Sequence, residues 1–497
     1  MKIALTGGAY QARSVIAAAQ RCLNLYSEPM PQAQGEPAPW AYYPMPGLLL
    51  LSQLADFPVR GIRQVTTGGI YAVAGQSVFR IDPATWAGTL LGSITPGLTT
   101  PVSMADNGLD LVIVDGTASG WTVHLADDTF AAISDPTGTF VGADKVDYID
   151  TFFIFNNPGT PQFYWTKSLQ VAFDPASPDK ADKETFSDEL VTLAVAKKEI
   201  YLLGERTTEI WYDAALTDPT TGFITSQFAP IQGVFIDHGC AAKYSAATYD
   251  NSVFWLSRNR AGQGIIMMAA GYQSERISTY AIEKSIAGYS EVEDAIGFCF
   301  LIAGHAFYVL SFPAADRTWA YDITTHQWTE WHWSDSNGNE HRHRAACFYL
   351  CDDTLVVGDR EWSNLYALDL DTFTDWGFAI KRERSYPHIV LDGRRLFYRE
   401  FLADMDVGSG PDTTDTNMVS LIWSNDRGHS YGNPVMQSLG GIGEYLTSMQ
   451  WQRLGMARDR VFKLSWTVNA PCALQGAWIT IDPADAEEAA PKQGQAA

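Results

Sequence analysis

At 497 residues the chain has room for two or three domains, and with 46% hydrophobic, 12% aromatic and 18% charged residues it has the composition of a folded globular protein. Its formal net charge of −23 repels phosphate and argues against sequence-specific nucleic-acid binding, although an acidic wall suits DNA that slides past without sticking. The wealth of aromatics, with 41 Gly and 24 Pro, favours strands and tight turns over helices, so an all-β chain is expected.

The first residues, Met1-Lys2-Ile3-Ala4-Leu5, are interrupted by Gly7, Gly8 and Tyr10 and followed by Arg13. No apolar run forms there, so no signal peptide is expected. The longest aliphatic run, Leu48 to Leu51, is far too short for a membrane span. Residues 10–25 read as a short helix, with Val15, Ile16, Ala19 and Leu23 at helical spacing. From Pro29 to Pro46 six prolines argue against a helix or a central strand, and residues 1–60 are expected to form a helix and an extended arm lying on another surface.

From about residue 61 a hairpin recurs. Its first strands begin at residues 70, 109, 152, 200, 253, 306 and 355, in steps of 39 to 53 residues. Several second strands end in an apolar residue followed by Asp, as in Ile81-Asp82, Tyr212-Asp213, Tyr321-Asp322 and Leu368-Asp369. This drifting period is that of propeller blades and predicts a β-propeller of six or seven irregular blades over 61–378. Residues 379–481 alternate with period two. Phe397, Phe401, Met405 and Val407 fall on one face, Glu400, Asp404 and Asp406 on the other; Phe462, Leu464, Trp466 and Val468 point inward. A β-sandwich or jelly roll follows. The Ala- and Glu-rich residues 482–497 are expected to be disordered.

Charge divides along the same lines, with 22 Lys+Arg against 43 Asp+Glu in residues 1–378 but 11 against 10 in 379–481. The six cysteines are too few for a disulfide scaffold and read as mostly buried thiols.

Among local motifs, Ser424, Asp426, Gly428, Ser430 and Tyr431 fit the Asp-box pattern of propeller hairpins, where Asp accepts backbone hydrogen bonds and Gly permits positive φ. Its expected role is a structural turn. His341, His343, Cys347 and Cys351 offer four zinc-type ligands, but extended over ten residues they would span about 33 Å, so no metal site is expected. Asp369, Asp371 and Asp375 hint at calcium, yet Phe373 and Thr374 stand where a ligand and a Gly are needed. No nucleophile elbow, phosphate loop or convergent catalytic set is visible, and neither an enzyme nor a cofactor is expected. The basic segment Lys381, Arg382 and Arg384, continued by Arg394, Arg395 and Arg399, is the local reversal of charge. It reads either as a protected strand edge or as a docking patch for an acidic partner, including the acidic body of a neighbouring copy.

Taken together, several stretches resemble the packaged-DNA stabilisation proteins of short-tailed phages, the tail hub or nozzle family. They are Arg21 to Glu28 before Pro44-Met45-Pro46-Gly47-Leu48, Ser278 to Ile286, Arg427 to Gly432, Trp451 to Gly455, and Phe462 to Gly476. The resemblance spans residues 21–481. It implies a structural virion protein of the phage tail, assembled in the host cytoplasm, that forms a homohexameric ring. That ring would close the DNA-filled head below the portal and adaptor rings. It would hold the tail needle or tip and a fibre or tailspike, and let DNA pass through its lumen. The N-terminal arm would clasp a neighbouring subunit. A carbohydrate-acting or carbohydrate-binding sialidase-like propeller is the alternative, and it predicts an Asp box in each blade.

Overall fold

A computed structural model describes residues 2–4, 20–30, 40–173, 179–184, 186, 188–220, 224–408 and 417–483. Among these, the one helix is Tyr280–Ala287 and the rest of the regular structure is strand. The chain divides into two compact units, one made of residues 49–318 and 342–368, the other of 1–48, 319–341 and 369–497.

The first unit is a β-propeller. Five consecutive blades are complete four-stranded antiparallel sheets, the first being Val59–Gln64, Ile70–Ala74, Ser77–Ile81 and Gly88–Ser93. The next four begin at Ser103, Val146, Leu190 and Ala247. Ile296–Ile302 and His305–Phe312 belong to the sixth, and Ala345–Cys351, Thr354–Asp359 and Asn364–Asp369 to the seventh. Among the described residues, strands of seven blades are therefore present. The second strand of each is sandwiched between neighbouring sheets, which is why Ile70–Ala74 is apolar and buried throughout while Gly88–Ser93 is mostly exposed.

Adjacent blades share their cores in sequence. Val73 packs with Ile113, Val114 with Phe153, Phe163 with Trp211, and Tyr201 with Trp255, each pair within one buried cluster. Phe254 stacks on Tyr308 with ring centroids 5.3 Å apart, and Phe298 on Phe348 at 5.9 Å. The ring closes when Val356 and Leu365 of the seventh blade bury against Ile62 and Phe79 of the first. Closure is reinforced by the strand Gly47–Gln53, which extends the seventh blade: Leu54 N–H donates to Ser363 O at 2.8 Å and Gln53 Nε2 to Asn364 Oδ1 at 2.9 Å.

The second unit is a β-sandwich. One sheet runs in the order Leu25–Pro29, Trp40–Pro44, Leu474–Pro483, Leu396–Met405, Met449–Gln452. The facing strands run Gln327–Glu330, Cys22–Leu23, Arg382–Ser385, Asp459–Trp466, Met418–Ser424, Val435–Ser438. Between them lies a core containing Leu396, Phe401, Ile479, Val419, Phe462 and Leu464. Phe462, Leu464, Trp466 and Val468 are buried as their alternation requires.

Three sequence expectations change. Within the expected helix, Cys22–Leu23 and Leu25 are strand, with Leu23 and Leu25 fully buried; residues 10–19 lie outside the described ones. The described parts of the proline-rich arm are integral to the sandwich: Trp40–Pro44 pairs residue for residue with Leu25–Pro29, and its prolines stand at strand ends. Residues 31–39, half of the Pro29–Pro46 stretch, and residues 484–497 of the tail expected to be disordered fall outside the described residues, whereas Asp482 and Pro483 of that tail end the strand Leu474–Pro483. Finally, Phe397 is 41% exposed although Phe401 is fully buried. The register of Leu396–Met405 against Leu474–Pro483 shifts between Tyr398 and Glu400, and that bulge reverses which parity faces the core.

Candidate functional site

The Asp-box residues form a closed turn at the end of Met418–Ser424. Ser424 Oγ donates to Asp426 Oδ1 at 2.6 Å, Ser430 N–H to Asp426 Oδ1 at 2.9 Å, and Ser430 Oγ to Asp426 Oδ2 at 2.5 Å. Gly428 N–H returns to Ser424 Oγ at 2.7 Å with φ of 90°. These donors hold the Asp426 carboxyl well below the usual range, the Ser424 and Ser430 hydroxyls first. Lys463 Nζ lies 4.7 Å from the Tyr431 ring centroid. The Ser424, Asp426 and Ser430 side chains are bonded to one another and to the backbone of the turn.

The structure divides the basic segment. Arg382 and Arg384 are fully buried, Arg384 with its guanidinium 4.9 Å from the Tyr42 ring and Arg382 donating to Val468 O at 3.0 Å. Neither can meet a partner, which removes them from the expected docking patch. Lys381 is tied inward, to Glu340 at 2.7 Å. Arg394, Arg395 and Arg399 are exposed.

Lys381 and Glu383 of that segment belong to a charge network anchoring the N-terminal strands. Arg21 reaches Glu330 at 2.7 Å, Glu340 at 2.8 Å and Glu383 at 3.5 Å; Lys463 reaches Glu383 at 3.1 Å. His332 lies 3.4 Å from Glu340 and 3.5 Å from Glu330. The neighbouring His332 imidazole, then Arg21 and Lys381, hold the Glu340 carboxyl far below the usual range against its burial. Beside Arg21, Asn24 takes φ of 53° and fills its amide, donating to Lys381 O at 2.8 Å and accepting from His332 N–H at 2.8 Å. Nothing in the local sequence announces this network, because its members come from four distant segments.

The conspicuous motif from Ser278 to Ile286 is the helix and its cap on the fifth blade. Ser278 Oγ donates to Glu283 Oε1 at 2.7 Å, Arg276 Nε donates to the same oxygen at 2.5 Å, and the Thr279 side chain caps the first turn. Asp369 accepts from Thr372 Oγ1 at 2.6 Å, closing a turn rather than a cation loop. His343 is buried and accepts from Ala345 N–H at 3.2 Å; Cys347 and Cys351 lie on the following strand. Among the described residues, no group of three or more His, Cys, Asp or Glu side chains could hold a metal ion. All six thiols are free; burial pushes Cys240 up to about 11 and Cys347 and Cys351 to about 12.

On the propeller axis lies a cavity of about 200 Å³, lined by Arg60, Arg63, Lys145, Lys243 and Asp144 among others. Asp144 pairs with Lys243 at 2.6 Å, and Asp106 with Arg63 at 2.9 Å.

Comparison with known families decides the affiliation. The family described as bacteriophage P22 Gp10, β-propeller, matches residues 1–373. The chain belongs to this family. The family described as bacteriophage P22 Gp10, β-sandwich, matches residues 381–482, so the Gp10 likeness continues through the second unit. This is the family whose resemblance the sequence carries. A curated relative, the tail hub protein gp10 of Salmonella phage P22, is 21% identical over 315 residues, or 62% of this chain. The chain spans 65% of that relative's length. Among solved structures, the WD40 β-propeller domain of Doa1 is similar over 65% of this chain and 96% of its own, with 11% identity and a TM-score of 0.39.

Proposed function

We propose that this chain is the tail hub of a short-tailed phage, a structural virion protein rather than an enzyme. The observation that carries the reading is the ordered match to both Gp10 families, propeller then sandwich, together with the P22 hub relative. In this reading several copies, six by the family resemblance, form a ring that closes the filled head beneath the portal and adaptor rings. That ring holds the needle or tip and the fibre or tailspike proteins. In this reading the ejection channel runs through the ring of copies, along walls that the −23 charge keeps non-adhesive to DNA. The Asp-box turn serves as a structural clip in the sandwich, and the exposed arginines as a docking surface.

Negative-stain images and native mass spectra of the purified chain test the assembly. Six-fold rings are expected; isolated single propellers at all concentrations would sink it. The carbohydrate-acting alternative loses support, because it expects an Asp box in each blade and the motif lies in the sandwich.

A further inference from the structure

The exposed half of the basic segment, Arg394, Arg395 and Arg399, continues across the sandwich onto a second strand that the sequence does not join to it. Leu396–Met405 pairs with Met456–Ala457 so that Leu396 faces Ala457 and Phe397 faces Met456. Phe397 and Met456 are each 41% exposed, and directly opposed residues of antiparallel strands share a face. One residue beyond the Leu396–Ala457 pair stand Arg395 and Arg458. On the other side, Arg453 N–H donates to Arg399 O at 2.9 Å, bringing a second pair of arginines together. Arg394, Arg395, Arg399, Arg453 and Arg458 are all exposed. Asp482 engages Arg399 at 2.7 Å; among the described residues, no acidic side chain pairs with the other four.

Like charges gathered on neighbouring strands repel, and two large apolar side chains left in water between them gain nothing in the isolated chain. An apolar centre with an arginine rim is the composition of a protein interface. A phosphate backbone would satisfy the arginines but leave Phe397 and Met456 uncovered, so a protein surface is the better occupant. The chain supplies an acidic one itself: its propeller unit carries 19 Lys+Arg against 34 Asp+Glu, a net charge of −15. We infer that this face, Phe397 and Met456 ringed by Arg394, Arg395, Arg399, Arg453 and Arg458, docks the acidic propeller of a second copy of this chain. The inference rests on the multi-copy reading above and names the surface through which copies join.

Sedimentation velocity of the full chain at low and high salt tests it, with R395E/R458E and Phe397→Ser as variants. All three positions are solvent-exposed, so both variants should keep the wild-type circular dichroism and thermal midpoint. Each is expected to weaken self-association by about tenfold or more, and added salt should weaken the wild type in the same direction. Variants that assemble as the wild type does overturn this face while leaving the ring intact. A wild-type chain that stays monomeric throughout overturns the ring and this occupant together. Variants that assemble normally but lose retention of duplex DNA make the face a nucleic-acid site and overturn the proposal.

Discussion

Arg21 shows how much one side chain holds in this protein. Its guanidinium binds Glu330 and Glu340 at once, and removing it leaves two mostly buried carboxylates facing each other. Arg21→Ala is therefore expected to cost about 3 kcal/mol, the usual consequence of stripping one partner from a buried pair; urea denaturation followed by tryptophan fluorescence measures it. Arg21→Lys keeps the charge but loses the fork and should fall between the two. The acids around Arg21 also fix the direction of the pH response. Glu340 and Glu383 both titrate below the ordinary carboxylate range in the folded chain. Their contribution is complete above about pH 4.3, the unperturbed value, and drains away as the pH falls toward their depressed values. The urea midpoint should thus drop below that pH, and Glu340→Gln should flatten the drop; an unchanged profile in that variant would remove Glu340 from the account.

At the scale of the element, the strands legible in the sequence are the second and third of each blade. Ile70–Ala74 is buried throughout and reads as an apolar run, and Ser77–Ile81 buries Val78, Phe79 and Ile81. Fourth strands such as Gly88–Ser93 and Thr129–Ala132 border solvent and carry no such signal. The bulge in Leu396–Met405 defeated the period-two reading in one specific way, by moving Phe397 out and leaving Phe401 in. The contrast is testable: Phe401→Ala should cost about 3–5 kcal/mol, whereas Phe397→Ser should stay within about 0.5 kcal/mol in the monomer. Equal losses in thermal melts would contradict the observed register.

For the whole molecule, the consequential feature is that the N-terminal residues are structural on their own chain. Cys22–Leu23 sits between Gln327–Glu330 and Arg382–Ser385, and Leu25–Pro29 and Trp40–Pro44 extend the other sheet. Deleting residues 1–46 should therefore yield a chain whose sandwich is cleaved readily by protease, while an arm that only clasped a neighbour would leave a stable monomer. Limited proteolysis with mass spectrometry of the fragments separates the two outcomes. The next residues, 47–53, close the seventh blade, so propeller and sandwich both draw on a segment that reads from sequence alone as a proline-rich connector.

Sequence alone determined the all-β class, the repeating hairpins, the second β region and the family, because burial between sheets forces apolar runs and alternation that survive as local patterns. The Asp-box turn was equally legible, since all its partners lie within six residues of Ser424. What only the tertiary structure decided was every feature built from distant segments. Arg382 and Arg384 looked like a surface patch until Tyr42 and Val468 were seen to cover them. Arg453 and Arg458 joined Arg395 and Arg399 only through strand pairing, more than fifty residues apart in the chain. Charge and hydropathy are properties of a residue, but exposure belongs to its neighbours. The basic surface of this protein was therefore visible in the sequence as composition and became a defined face only through the fold.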